Sequence, residues 1–536
     1  MIKRIIITLI LIIECITVIS CSKNSNNKKI DSLIVSVGGA PSNLDPAFAK
    51  GIPTATYLTH TFETLTQRDE KGNIIPALAY EWSSTNNNTL YTFKLRDNAK
   101  WSDGKEVTAY DFVYAIKRII DPKIASPFSL GFDVIKNAKK IMKGELDLDS
   151  LGIKALDEYT LQIELEVPLP YFEEAMSSDI ASPVREDIIE EYGDDWWKKH
   201  LVGNGPYIIK EYDENFRIVM IKNPYYWDKN NVKANSITFE FLEDVNTAVA
   251  AIYTDNILFY PDVPENDKQN LIEKNIAKEV DTTAVSYYLI NLNKYPLNNK
   301  LVRKALSLAI DRNYITDNVL RGGRVPANGF VPINVKNGDI DFRKNASQYF
   351  SLDKRDYNKN IALAKELLIK AGFNNIKDFP IIELITTTNP THTFVAEAIQ
   401  NMYKTMLGVD LKIRYEESAT YLQSIKSGNF QMIKASTSVA YNQATGYLRL
   451  FQLNGLGNVG GYTNEIYDYL VDIAITNANK NIREKASFDA ERILIEEDMA
   501  IIPLYYDKST IMQNPKLKGV KYDIFGIYDF RNAYLE

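Results

Sequence analysis

The residues best equipped for chemistry are few and scattered. Three histidines, His60, His200 and His392, lie far apart in the chain. None falls in the His-x-x-x-His or His-x-Cys spacing that puts two zinc ligands side by side. No Gly-x-Ser-x-Gly elbow carries a nucleophile, and no Gly-x-x-x-x-Gly-Lys loop offers a phosphate cradle. Gly455-Leu456-Gly457 and Gly460-Gly461 read as a mobile turn region. Carboxylates occur in adjacent pairs, Glu173-Glu174 and Asp194-Asp195, which would suit glycoside hydrolysis at the right separation. Adjacent acids on a solvated surface are the commoner meaning. Neither a catalytic centre, a metal site nor a cofactor is expected.

The two cysteines have a clearer use. Cys15 sits inside an apolar run and Cys21 ends Val18-Ile19-Ser20-Cys21. Lys3 and Arg4 precede Ile5 to Ile13, so residues 1–20 have the basic, then apolar, then small-residue order of an export signal. The run is shorter than the ~20 residues needed to span a bilayer, and Glu14 interrupts it, which counts against the rival reading of an uncleaved anchor. Val18 to Cys21 resembles a bacterial lipobox, in which the cysteine is acylated and becomes the new N-terminus. Cleavage there removes Cys15, leaving no partner for a disulfide and leaving Cys21 for lipid attachment. Residues 21–32, with Lys23-Asn24-Ser25-Asn26-Asn27-Lys28-Lys29, have no apolar period and read as a tether.

The chain has 536 residues, too many for one core, and its net charge of −7 argues against nucleic acid, which needs a concentrated basic surface. The 33 tyrosines suit a tolerant cleft, since each joins apolar area to a polar tip, though tyrosine also fills strands and interfaces. Strands and helices alternate from Leu33 onward, so the fold class is α/β. Tyr91 to Arg96 alternates as a half-buried strand, and Thr108 with Asp111 opens a helix whose Phe112, Ala115, Ile116 and Ile119 share a face. A second helix follows Asn298-Asn299, with Val302, Ala305, Leu306, Ala309 and Ile310 in period. Its Arg303, Asp311 and Arg312 are expected to be ion-paired scaffold.

Several blocks recur in a fixed order. They are Gly39-Ala40-Pro41-Ser42-Asn43-Leu44-Asp45-Pro46, Asp69 to Ala79, Lys100-Trp101-Ser102-Asp103-Gly104 and Val107 to Tyr114. Gly203-Asn204-Gly205-Pro206-Tyr207, Lys222 to Trp227, Val302 to Arg312 and Ile502-Pro503-Leu504-Tyr505-Tyr506 follow. Together they resemble the oligopeptide-binding branch of the family 5 extracellular solute-binding proteins.

That resemblance implies a two-lobed, periplasmic-binding-protein-like α/β fold with a hinged cleft. Domain I would be built from 33–62, 190–284 and 508–536, domain II from 63–189 and domain III from 285–507. It implies a lipid-anchored extracytoplasmic receptor, a monomer, that captures oligopeptides and hands them to the permease of an ABC transporter. The same scaffold can hold a non-peptide solute, such as an oligosaccharide, opine or metal chelate, and a lipoprotein adhesin or folding helper is a third reading. The resemblance places ligand against Ile52, Phe128, Tyr287, Ser436, Thr437, Ser438, Ala440, Tyr441, Asn442 and Tyr506. Relatives usually carry an Asp where this chain has Ala440, to pair with the ligand's α-ammonium, and a Glu where it has Leu289. The loss suits a less cationic ligand, unless Asp507 or another acid substitutes.

Overall fold

The computed structural model describes residues 32–536 apart from 71, 322 and 440. Cys21 and Ala440 lie outside the described residues.

Two sheets share the first large core. Ser32–Val35 pairs in parallel with Ser236–Glu240, and Arg217–Lys222 and Tyr207–Asp213 extend that sheet in antiparallel fashion. The second sheet runs Ala79–Thr85, Leu90–Leu95, Thr160–Glu164, Ile153–Asp157, every pair antiparallel. Alternation puts Tyr91, Phe93 and Leu95 inside, and helix Ala109–Ile120 covers them with Phe112, Ile116 and Ile119. That helix starts where the sequence indicates, the Asp111 carboxylate accepting from the Thr108 N–H at 2.7 Å.

The second large core lies on a sheet that is seven-stranded among the described residues. Its order is Phe259–Tyr260, Ile501–Gln513, Ala277–Ile290, Met432–Thr437, Ile382–Thr387, Leu411–Glu416, with Val325–Pro326 on the side of Ile501–Gln513. Helix Lys300–Leu308 packs Val302, Ala305 and Leu306 into this core, Asn299 capping it through the Leu301 N–H at 2.9 Å. Arg303 and Arg312 are scaffold, but not by ion pairing as expected. Their guanidinium groups donate to backbone carbonyls, Arg303 to Met499 at 2.9 Å just before strand Ile501–Gln513 and Arg312 to Pro503 at 2.8 Å beside that strand's register shift, where buried carbonyls need donors from outside the ladder.

Ala277–Ile290 and Ile501–Gln513 are long enough to cross from one core to the other. Residues 277–281 pair with 508–512 beside the first lobe, and 285–289 pair with 501–506 inside the second. The register breaks between Asp281 and Val285, leaving 282–284 outside the ladder where the lobes meet.

Candidate ligand-binding site

Strand Met432–Thr437 is unequally partnered. On one side all six residues pair with Val285–Ile290. On the other, Ile382–Thr387 pairs only with Met432 and Ile433. From Lys434 onward that edge has no strand neighbour among the described residues, although the Tyr421 hydroxyl donates to the Lys434 carbonyl. Ser436 and Ser438 are exposed and Thr437 half-buried, so only small side chains guard the edge. An accessible strand edge is a hydrogen-bonding template that an extended chain of any sequence can join.

Polar chemistry collects behind this edge. Lys434 is 4% exposed, and its ammonium donates to Ser286 Oγ at 3.2 Å. Ser286 donates in turn to Asp507 Oδ2 at 2.7 Å, and Arg324 Nε donates to Asp507 Oδ1 at 3.1 Å. Burial pushes Lys434 down to about 8, against the pull of Asp507. His392 is pushed down to about 4, first by burial and then by the Lys434 and Arg324 charges, so it is neutral at pH 7. Its Nδ1 shares a hydrogen bond with Thr387 Oγ1 at 2.7 Å. The group is a buried, polar seat in which two cations, Lys434 and Arg324, are set against the Asp507 carboxylate.

Sequence reasoning named Asp507 as a possible substitute acid and His392 as an isolated histidine, and missed Lys434, Ser286 and Arg324. A usable signal was present in Met-Ile-Lys-Ala-Ser-Thr, where a lysine interrupts an apolar strand two residues before Ser436 and so shares its face.

The predicted contact residues separate into groups. Ile52 opens helix Ile52–Thr61 and is 47% exposed. Phe128 is half-buried, and the Ser126 hydroxyl that receives its N–H anchors the loop to the Ala47 carbonyl at 2.7 Å. Tyr441 stacks on Tyr171 of the other lobe with centroids 5.9 Å apart, and the Asn442 N–H donates to the Glu174 carboxylate. Glu174 is therefore a buried contact between lobes and not a surface acid. Burial raises its pKa, opposed by the nearby Arg68. Beside this contact a gap of about 820 Å³ separates the lobes, bounded by Val280, Lys336, Asp339, Tyr522 and Ile524.

Tyr287 and Tyr506 stand behind the cleft. Tyr287 is paired on both edges, to Ala435 and Pro503, and packs edge-on against Phe330. The Tyr506 hydroxyl donates to the Gly329 carbonyl at 3.2 Å. Both side chains support the sheet, since the apolar face of a central strand is where a large ring buries most area. Leu289 is likewise in the core.

The turn at Gly455 to Gly461 runs close to other backbone at two points, where a Cβ at Gly455 would collide with the Leu450 carbonyl and one at Gly460 with the Ile290 carbonyl, while Leu456 between them is exposed. The spacing Gly455, Gly457, Gly460 formally matches a dinucleotide fingerprint. It follows the short helical turn Arg449–Phe451 and precedes a helix that begins only at Glu465, so the strand–turn–helix context of that motif is missing.

The model of the bacterial extracellular solute-binding proteins, family 5, middle part, matches residues 73–458. The chain belongs to this family. Family 5 members are binding proteins, and this chain is one, not an enzyme. It is 36% identical over 493 residues to the periplasmic murein peptide-binding protein MppA of Escherichia coli K12, covering 91% of this chain and 90% of that one. The unliganded open form of MppA superposes with a TM-score of 0.81 at 33% identity, covering 95% and 98% of the two chains. Haemophilus influenzae OppA in complex with the peptide RPPGFSPFR gives 0.76 at 30% identity, covering 95% and 99%. The chain is also 32% identical over 490 residues to YgiS of E. coli K12, a probable deoxycholate-binding periplasmic protein, covering 89% and 88%. The two-lobed α/β fold of this family accounts for the two cores and the two crossing strands.

Proposed function

We propose that the chain captures peptides in extended form between its lobes and delivers them to the permease of an ABC transporter. The carrying observation is the edge from Ala435 to Thr437, which has no strand neighbour among the described residues and lies beside the buried Lys434, Ser286, Asp507 and Arg324. A peptide backbone satisfies the edge regardless of sequence, and its terminal carboxylate, or an acidic side chain, satisfies the seat. Domains I, II and III divide as 33–62 with 190–284 and 508–536, 63–189, and 285–507. The register break at 281–285 supports a hinge at the 284/285 and 507/508 crossings. Closure about two strand crossings is the hinge motion such a fold permits. Lipidation of Cys21 after removal of residues 1–20 would hold this monomer on the outer face of a membrane. No helix among the described residues is long and apolar enough to cross one. Ser436, Thr437 and Ser438 would present backbone groups, with Ile52, Phe128 and Tyr441 bounding the cleft.

Likeness to YgiS supports a second reading, an amphipathic carboxylate that uses the seat without the edge. Mass spectrometry of solute co-purified from the native host distinguishes the two. Titration with peptides N-methylated at alternate backbone positions checks the first directly. Strand addition predicts that methylation at edge-facing amides abolishes binding, while methylation at the intervening amides leaves it intact. Equal tolerance at every position would refute it.

A further inference from the structure

The seat lies on the hinge, and one residue belongs to both. Asp507 is on the crossing strand Ile501–Gln513, and its carbonyl accepts from the Thr282 hydroxyl at 2.9 Å within the irregular stretch of the other crossing strand. The neighbouring Thr283 is held from both sides, its N–H donating to the Ile524 carbonyl at 3.2 Å and its carbonyl receiving the Tyr447 hydroxyl. The Asp507 carboxylate meanwhile accepts from Ser286 and Arg324, and Ser286 is the acceptor for Lys434. Arg324 also reaches Glu265, on the segment following the sheet's edge strand Phe259–Tyr260, at 3.6 Å. A continuous line of charge thus runs Lys434, Ser286, Asp507, Arg324, Glu265 across the lobe junction. The Asp507 side chain keeps 23% of its exposure, so the middle of the line is open to solvent.

We propose that Asp507 is the internal counter-ion of the seat, and that a ligand carboxylate competes with it for Lys434 and Arg324, which makes Asp507 the residue that sets how strongly the protein prefers anionic over neutral ligand ends. The inference rests on the carboxylate-binding role given to the seat above. Its physical basis is that two cations already neutralised by a fixed carboxylate gain less from a second one than bare cations would.

The test uses matched peptides that differ only in a free or amidated C-terminus, titrated calorimetrically into wild type, Asp507→Asn and Asp507→Glu. Each variant is first checked for native circular dichroism. Asp507→Asn keeps the shape and removes the charge. The ratio of acid to amide affinity is expected to rise about tenfold, the scale of one charge-assisted bond. Asp507→Glu should restore the wild-type ratio. A purely structural role would weaken both peptides equally and leave the ratio unchanged, which overturns the proposal, as does a fall in the ratio. If Asp507→Asn fails to fold, Glu265→Gln relieves the same competition on Arg324 from a half-exposed position and should raise the ratio in the same direction. Wild type that does not distinguish acid from amide would instead remove the seat itself.

Discussion

Lys434→Met separates what the protein needs to fold from what it needs to bind. A lysine held at about 8 instead of 10.5 costs about 3 kcal/mol to keep charged at neutral pH. The side chain is almost fully buried, so solvent does not erase that cost. Methionine fills similar space without charge, but gives up the charged bond to Ser286, about 1.5–3 kcal/mol. The variant should therefore be at least as stable at pH 7, by up to about 1.5 kcal/mol. The sign with pH follows from linkage. Between about 8 and 10.5 the unfolded state binds more protons at this position than the folded state, so wild-type stability rises with pH in that window. The advantage of the variant should shrink across it, in calorimetric melts of both proteins from pH 7 to 10. Binding should move the opposite way. Loss of one charge-assisted bond weakens a free-acid peptide by about 1.5–3 kcal/mol, or roughly tenfold to a hundredfold, and leaves an amidated one unchanged. In wild type the acid peptide should also lose up to about tenfold in affinity per pH unit above 8 as Lys434 discharges. Arg324, held above its ordinary value, and His392, lowered to about 4, lie beside Lys434 and do not change charge in that range. A variant less stable at pH 7, or one that weakens acid and amide alike, would refute the argument.

Cys21→Ala should accumulate unprocessed precursor and abolish fatty-acid labelling, and wild type that takes up no labelled fatty acid would show that Cys21 is not acylated. Ala440→Asp should strengthen binding of a peptide with a free N-terminus by about 1.5–3 kcal/mol and weaken an N-acetylated one, which would then face an unpaired carboxylate. Calorimetric titration with both peptides checks this, and no change with either would show that Ala440 does not meet the ligand's N-terminus.

Much of the scaffold was legible because local rules fix it. Period-two alternation located the strand through Tyr91 and Phe93, and the Thr108–Asp111 pairing located the start of its covering helix. Sequence by itself determined these features, because each depends on neighbours within a few residues or on an ordered set of blocks. Tertiary structure alone decided the rest. Lys434, Ser286, Arg324 and Asp507 come from four segments separated by 38 to 221 positions, and only the pairing of two crossing strands with Met432–Thr437 brings them together. Likewise, nothing near Glu174 in sequence hints that its carboxylate meets the Asn442 N–H of the other lobe. Whether Arg303 finds a carboxylate or a carbonyl depends on which loop backbone was left unpaired, and Tyr287 and Tyr506 became supports because burial of a ring outweighs its exposure in a cleft. A side chain's type limits the bonds it can make, and long-range packing chooses among them.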